Sequence, residues 1–300
     1  MKKAGTVVTT FLMAGVLAMG TAGLASAQES ENSIGLMIPT MTNEFFVSLK
    51  EGAESYAQEK NIDLIVLDSN DDSVKEASNV DDIITRGVEL VLFIPVDSDA
   101  AGSSVEALNA AEIPVITLDR ASSGGEVVSH IASDNMAGGK LAGEYIVELL
   151  GGEGNVVELE GKVGTSAANE RSEGFNAALE GTDIKVVAKQ TANFDKAEGL
   201  TVMENILQSH PEVQAVFAAN DEMALGAMEA CEAAGREDIL IVGFDASADA
   251  VKAVSEGKMA GTIAQLPDKI AQYGIDTALS VLAGEEVDAT VGVPLELVKE

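Results

Sequence analysis

The chain has 300 residues, a formal net charge of −32 and a single cysteine. A surface this acidic repels nucleic acids and anionic lipid headgroups, so it excludes them as partners and disfavours an anionic ligand. One cysteine excludes an internal disulfide, and the alanine-rich helical run around Cys231 predicts that it is a small core residue.

The first 27 residues have the pattern of an export signal. Lys2 and Lys3 form a basic start, an apolar stretch covers residues 11–19, and Ala25-Ser26-Ala27 fits the small-x-small cleavage rule. No cysteine follows the cleavage point to carry a lipid, and no later segment reaches the roughly 18 apolar residues of a membrane span. We therefore expect residues 1–27 to be removed and the rest of the chain to be a soluble periplasmic protein.

After this signal, short apolar strands alternate with amphipathic stretches almost without interruption. Strand candidates come in two series, at residues 34–38, 64–67, 90–94 and 115–118, and then at 156–159, 184–188, 215–218 and 240–244. This alternation predicts parallel sheets with helices on both faces. Because so long a chain exceeds the usual size of one core, we predict an α/β fold with two similar lobes.

The segments between the strands support the same fold. In the first helical stretch, Phe46, Leu49, Ala53 and Tyr56 recur at spacings of three and four, which places them on one buried face. No proline- or serine-rich tether separates the two series of strands. We therefore expect the chain to cross directly between the lobes.

Polar and aromatic side chains follow the strands of both series, at the points where the strands end. In open α/β sheets, ligands bind beyond the carboxyl ends of the strands. Aromatic rings cover the C–H face of a sugar, while amides, carboxylates and guanidinium groups bond its hydroxyls. Two aspartates balance two arginines, so the set predicts a site for a small neutral polyol. Its members are Asn43, Phe45, Phe46, Asp119, Arg120, Arg171, Phe194, Asn220, Asp245 and Gln265.

Each of these residues also has a purely structural interpretation. Phe46 would be a core residue of its helix, and Arg171 a surface partner of neighbouring glutamates. Asp119 or Asp221 would be a helix cap. The shared position at successive strand ends favours a site, because independent structural roles would scatter these residues over both ends of the strands.

Six motifs along the chain form a recognisable set. They are Asn43-x-Phe45-Phe46, residues 113–120, 128–135 and 219–226, Gly243-Phe244-Asp245, and residues 262–268. Together they resemble the bacterial ribose-binding proteins of the type I periplasmic sugar-binding family. The resemblance covers essentially the whole chain after residue 27. One departure is Pro39, where the family has a small hydroxyl residue, and this puts one peripheral hydrogen bond in doubt.

The resemblance implies two Rossmann-like lobes with parallel sheets, joined by a three-segment hinge. The N-terminal lobe would comprise residues 28–133 and 266–294, and the C-terminal lobe residues 134–265 and 295–300. D-ribose would lie in the cleft between Phe46 and Phe194. The first lobe would supply Asn43, Phe45, Phe46, Asp119 and Arg120. The second lobe or the hinge would supply Arg171, Phe194, Asn220, Asp245 and Gln265.

By the same resemblance, the protein is the substrate-binding component of an ABC sugar importer. Its closed form would dock on an inner-membrane ABC permease, with a chemoreceptor as a further partner. No cofactor and no metal are expected. We expect a monomer, because closure requires free lobes.

Other functions have weaker support in the sequence. An α/β enzyme acting on a sugar is disfavoured, because the glycines near 152 and 161 lack the spacing of nucleotide-binding loops. Ser166 faintly resembles a nucleophile elbow but is more typical of a helix cap. Asp68-x-Asn70-x-Asp72 begins like a calcium loop and then lacks its glycine and final glutamate. A sugar-responsive repressor would carry a DNA-binding headpiece in place of the signal.

Within the binding class, the sequence leaves the ligand open. Allose, galactose and a furanosyl autoinducer remain alternatives to ribose, because all are small neutral polyols that this set of side chains can bond. Only the chemistry of the cavity distinguishes them.

Overall fold

The computed structural model describes Met1 and residues 32–299, so the export signal predicted for residues 1–27 lies almost entirely outside the described residues. Strands and helices alternate through residues 32–299. The strands are β1 (Asn32–Ile38), β2 (Ile62–Asp68), β3 (Leu90–Phe93), β4 (Val115–Leu118), β5 (Ser129–Ser133), β6 (Glu153–Glu160), β7 (Asp183–Thr191), β8 (Ala215–Ala218), β9 (Leu240–Asp245), β10 (Gly261–Ala264), β11 (Thr290–Val293) and β12 (Glu296–Val298). The helices are α1 (Glu44–Glu59), α2 (Ser73–Arg86), α3 (Gly102–Ala110), α4 (Asn135–Leu150), α5 (Ser166–Leu179), α6 (Lys196–Ser209), α7 (Asp221–Ala233), α8 (Ala248–Ser255) and α9 (Pro267–Leu282).

The strands form two sheets of six, one in each lobe. The strand order is β11-β5-β4-β3-β1-β2 in the first sheet and β12-β10-β9-β8-β6-β7 in the second. All pairs are parallel except the antiparallel pair of β10 and β12. The second sheet repeats the order of the first, which confirms the predicted α/β fold with two similar lobes.

The chain passes between the lobes at three places. It leaves the first sheet after β5 and enters α4, which packs on α5 and β10 of the second lobe. It returns between β10 and α9, since α9 packs on α1. It crosses again between β11 and β12, which belong to different sheets. The resemblance placed the hinge segments at these points, and the bounds of the lobes remain a prediction.

Both faces of each sheet are buried under helices. In β1, Ile34, Leu36 and Ile38 join one core cluster, while Met37 joins the cluster on the opposite face. A strand covered on both faces gains from apolar residues at every position, which explains the uninterrupted apolar runs in the sequence. Cys231 lies in the core of the second lobe, as predicted, and burial raises the pKa of its thiol to about 11.

The first helix packs as its periodicity predicts. Phe46, Leu49 and Ala53 are buried in the core of the first lobe. Tyr56 is only partly buried, and its hydroxyl donates to the carboxylate of Asp276 on α9. This contact joins α1 to the helix that follows the second crossing. Among the described residues, no helix has the length and apolar character needed to cross a membrane.

Candidate ligand-binding site

The predicted site residues lie around one cavity between the lobes, at the carboxyl ends of both sheets. Eleven residues from both lobes line this cavity, and their side chains leave little free space between them. Sequence reasoning missed Ala167 in the first turn of α5, because its methyl group carries no chemical signal. The lining comprises Asn43, Phe45, Phe46, Asp119, Arg120, Ala167, Arg171, Phe194, Asn220, Asp245 and Gln265.

Two asparagines of the cavity also begin helices. Asn43 Oδ1 accepts from the backbone N–H of Phe45 at 2.9 Å and caps α1. Asn220 Oδ1 accepts from the N–H of Met223 at 3.1 Å and caps α7. The structural interpretation of Asp221 as a cap is therefore wrong, since it is the first residue of α7. Capping fixes both asparagines at the rim of the cavity.

Backbone strain is concentrated beside the cavity. Asp119, Phe194 and Asp245 have positive φ values of 58°, 61° and 120°, which non-glycine residues rarely adopt. Such conformations cost on the order of 1–3 kcal/mol each and persist only where the surroundings hold them. The ring of Phe194 lies directly against Gly161, where a Cβ atom would collide with it. The strained backbone at these three residues directs their side chains into the cleft.

Arg171 is the most constrained charge of the site. The structural interpretation as a surface partner is wrong, since Arg171 is 3% exposed. Its Nε donates to Asn135 Oδ1 at 2.8 Å, and its Nη1 donates to the carbonyl of Ala219 at 2.7 Å. The guanidinium lies 3.8 Å from the ring centre of Phe244, and Nη1 is 3.8 Å from Asp245 Oδ1. This arrangement holds Arg171 in one orientation.

Arg120 supplies the corresponding charge from the first lobe. Its Nη1 donates to the carbonyls of Pro95 and Val96 at 3.1 and 3.2 Å. The guanidinium lies 5.1 Å from the ring centre of Phe46 and 5.7 Å from that of Phe194. Phe46 is thus both a core residue and part of the cavity wall. Arg120 connects the aromatic rings of the two lobes by cation–π contacts.

Several buried polar atoms of this cavity lack a hydrogen-bond partner. They are Asp119 Oδ1, Arg120 Nε and Gln265 Oε1. Within the described part of the chain, only Ser133 Oγ and Glu158 Oε1 share this state. A buried polar atom without a partner costs about 1–3 kcal/mol, so nearly all such atoms in native proteins are paired. The two acceptors and one donor in the cavity match the requirements of a hydroxylated ligand.

Burial also controls the protonation of the cleft. It raises the pKa of Asp245 to about 7, although Arg171 lowers that pKa and Gln265 Nε2 donates to Asp245 Oδ1 at 2.8 Å. Burial lowers the pKa of Arg120 and Arg171. A guanidinium nonetheless stays protonated at neutral pH. Asp245 is therefore the member of the site that titrates near neutrality.

Direct contacts join the lobes beside the cavity. Ser98 N–H donates to the carbonyl of Gly164 at 2.9 Å, and Ser166 N–H donates to Ser98 Oγ at 3.0 Å. Lys162 Nζ lies 2.8 Å from Asp71 Oδ1 across the same boundary. The lobes are therefore closed on each other.

These contacts also decide between interpretations of Ser166. The cap of α5 is Thr165, so the prediction of Ser166 as a cap is wrong. Ser166 Oγ instead accepts from the N–H of Ala121 at 3.0 Å. The two histidines bond elsewhere, His130 to Thr117 and His210 to Glu212. Ser166 thus serves contact between the lobes and has no histidine base.

The acidic turn after β2 serves local structure. Asp68 Oδ1 accepts from the N–H of Asn70 at 2.8 Å, and Asp72 caps α2. Among the residues that the structure describes, no group of three or more histidine, cysteine or acidic residues is arranged to hold a metal ion. Pro39 is buried outside the cavity lining, and its carbonyl accepts from the N–H of Asp71.

Comparison with known proteins gives consistent matches over nearly the whole chain. Residues 34–286 match the family model described as periplasmic binding protein domain. The chain is 50% identical over 298 residues to the ribose import binding protein of Escherichia coli (strain K12), covering 99% of this chain and 98% of that protein. It is 44% identical over 272 residues to the ribose import binding protein of Bacillus subtilis (strain 168), covering 91% and 88%.

A solved structure gives the same fold. An ABC transporter periplasmic solute-binding protein from Actinobacillus succinogenes 130z, with bound D-allose, superposes with a TM-score of 0.85 at 34% identity. The match covers 90% of this chain and 98% of that chain. Both lobes therefore have a counterpart in a structure that holds a sugar.

Proposed function

The chain belongs to the periplasmic binding protein family, and we propose that it binds D-ribose in its interlobe cleft as the substrate-binding component of an ABC importer. Family relatives at up to half identity over nearly the full length are ribose import binding proteins. On this basis the chain is a binding protein and not an enzyme.

The unpartnered atoms of the cavity carry the proposal. Asp119 Oδ1 and Gln265 Oε1 accept hydrogen bonds, while Arg120 Nε donates one. A sugar hydroxyl both donates and accepts, so one monosaccharide satisfies all three atoms at once. The two arginines and two aspartates of the cleft balance in charge, which suits a neutral ligand.

Specificity follows from the same buried groups. One small sugar ring would lie between Phe46 and Phe194, which both line the cavity. An analogue that lacks one hydroxyl leaves a buried group unpaired and loses about 1–3 kcal/mol, a factor of about 5 to 150 in affinity.

Closure couples binding to transport. A ligand that touches both lobes stabilises the closed form by the difference between its affinities for the closed and open states. Ser98 and Lys162 add direct contacts between the lobes in that form. The closed protein would then present a combined surface of both lobes to an inner-membrane ABC permease, and a chemoreceptor is a second candidate for the same surface.

Export completes the proposal. The family is periplasmic, and the signal pattern of residues 1–27 accounts for delivery to that compartment. We propose that the protein acts there as a monomer, since its two lobes must separate and close around each ligand molecule.

D-allose is the second candidate ligand, because the related protein from Actinobacillus succinogenes holds it at 34% identity. Allose carries one more hydroxymethyl group than ribose in its pyranose form. The higher identity to the ribose import binding proteins favours ribose.

Calorimetric titration of protein stripped of carried-over sugar tests the proposal. We expect one-to-one binding of D-ribose that is at least about tenfold tighter than that of allose, arabinose, xylose, galactose or glucose. Arg120→Gln should abolish the heat of binding, while Arg86→Gln, at an exposed arginine of the same lobe, should not. Tighter binding of allose would make allose the ligand. No heat of binding with any of the sugars would overturn the proposal.

A further inference from the structure

A buried carboxyl outside the cavity lining stands behind Asp245. Asp221 is 1% exposed, and both of its carboxyl oxygens accept hydrogen bonds. Oδ2 accepts from the N–H of Ser247 at 2.8 Å, and Oδ1 accepts from Thr262 Oγ1 at 2.7 Å. Thr262 Oγ1 in turn accepts from the N–H of Ala246 at 3.2 Å. One side chain therefore holds the two residues that follow Asp245.

The turn held in this way is strained. Asp245 and Ala246 have consecutive positive φ values of 120° and 55°, and neither is a glycine. Conformations of this kind persist only where several contacts fix them. A Cβ atom at Gly243 would collide with Asp221 Oδ1, so β9 leaves room for this carboxyl beside the turn. The local sequence thus accommodates Asp221 at a position where a side chain on the strand would displace it.

Burial costs a carboxyl its hydration, so a buried acid in a core needs a reason. Burial and the charge of Asp245 raise the pKa of Asp221 well above its usual value. The other charged groups that face the pair are Arg171 from α5, Asp119 from the loop after β4 and Glu222 from α7. Two of these are acidic, and they also oppose ionisation of Asp245.

We propose that Asp221 is the positioning residue for Asp245: through Ser247 and Thr262 it fixes the strained turn that aims this carboxylate at the sugar. The inference rests on the proposed function, since it assigns a role in ligand binding to a residue that does not touch the cavity.

A purely structural role would have a different signature. If Asp221 only supports the start of α8, its replacement lowers the stability of the protein and leaves the binding of ribose unchanged. The test therefore needs a measurement that does not depend on the stability of the protein.

Two variants remove contacts that hold the turn, and a third is a matched control. Asp221→Asn keeps the shape and replaces one of the two accepting oxygens by an amide nitrogen. Thr262→Val keeps the shape and removes the hydrogen bonds to Asp221 and Ala246. Asp249→Asn removes an exposed carboxyl in the first turn of α8. Affinity for ribose is measured by calorimetry at pH 8, and thermal stability is recorded alongside.

We expect Asp221→Asn to weaken ribose binding about fivefold at pH 8, because an asparagine at this position can no longer accept from both Ser247 and Thr262. We expect Thr262→Val to weaken ribose binding about tenfold at pH 8, because the turn loses two hydrogen bonds. Asp249→Asn should leave the affinity unchanged. The inference is overturned if the variants at Asp221 and Thr262 both keep an affinity within twofold of wild type, whatever their stability.

Different results would contradict the inference and the proposed function. If the wild-type protein binds no ribose, the proposed function is wrong. The carboxyl carbon of Asp245 can still be observed by NMR in the wild-type protein and in Thr262→Val. A changed chemical shift of this carbon in the variant supports the positioning role, and an unchanged shift contradicts it.

Discussion

Each lobe brings an arginine and an aspartate to the cleft, and the two lobes hold these pairs differently. In the first lobe, Arg120 Nε and Asp119 Oδ1 have no hydrogen-bond partner, although the arginine and the aspartate lie about as close together as in the second lobe, at 3.9 against 3.8 Å. Arg120 is fixed at one nitrogen, by the carbonyls of Pro95 and Val96. Part of the hydrogen-bonding capacity of this pair is therefore left for a ligand.

In the second lobe, the pair is assembled before any ligand arrives. Arg171 donates to Asn135 and Ala219 from two of its nitrogens and stacks on Phe244. Asp245 Oδ1 accepts from Gln265. The protein itself satisfies most of this pair.

The difference shows that residues of one binding site can contribute differently to folding and to binding. A group already bonded within the protein contributes to folding as well as to binding, whereas a buried group without a partner contributes chiefly when the ligand supplies one. Substitutions in the second lobe should therefore lower both stability and affinity. Substitutions in the first lobe should lower affinity more than stability.

Among the variants that test this comparison, Arg171→Met has the largest expected effect on stability and on ribose binding. It leaves Asp245 and the carbonyl of Ala219 without their buried partner, so we expect the free energy of unfolding to fall by about 3 kcal/mol and ribose binding to be lost. Urea denaturation and calorimetry measure the two quantities. Stability within about 1 kcal/mol of wild type would remove the distinction between the lobes.

Asp119→Asn tests the first lobe. We expect affinity for ribose to fall by about 10- to 150-fold, the loss of a charged hydrogen bond of about 1.5–3 kcal/mol. The free energy of unfolding should fall by less than it does for Arg171→Met, because Asp119 Oδ1 has no hydrogen-bond partner to lose and only the charge beside the buried Arg120 is removed. A large loss of stability with intact binding would reverse the assignment.

The pH dependence of binding isolates Asp245. Its pKa in the free protein is raised to about 7 by burial, so below pH 7 much of it is protonated. Sugar hydroxyls that donate to the carboxylate favour the ionised form, so the complex binds fewer protons than the free protein. Affinity should therefore rise as pH increases from 5.5 to about 7 and level off above it.

Calorimetry in buffers of different ionisation enthalpy should detect proton release on binding near pH 6. Asp245→Asn should remove both the slope and the released proton. A slope of the opposite sign would show that the sugar prefers the protonated acid.

Lys162→Gln gives the smallest effect. The pair of Lys162 and Asp71 joins the lobes at 2.8 Å but remains partly exposed, so its contribution is about 0.2–1 kcal/mol. We expect ribose affinity to fall by less than about fivefold and the residual loss to disappear at high salt. Lys140→Gln, at an exposed pair within one lobe, should leave affinity unchanged. An equal response of both variants would exclude a contribution from closure.

The sequence predicted β1 to β4 and β6 to β9, most of which are strands buried on both faces with apolar runs. It missed β5, β10, β11 and β12, which have three to five residues each. Glycine, serine or threonine interrupts β5, β10 and β11, and β12 has only three residues. Pairing with a neighbouring strand, rather than local preference, makes these segments strands.

The sequence also predicted the residues around the cavity, since parallel strands bring their carboxyl ends to one edge and the motifs there resemble a known family. Tertiary structure alone decided which of them are already bonded, how Asp221 and Thr262 hold the turn after Asp245, and how Ser166 joins the lobes. Most of these features depend on contacts between residues distant in the chain, such as Asp221 with Thr262 and Ala121 with Ser166, which are 41 and 45 positions apart. Local periodicity and composition carry no information about such pairs, because only the packed chain brings them within hydrogen-bonding distance.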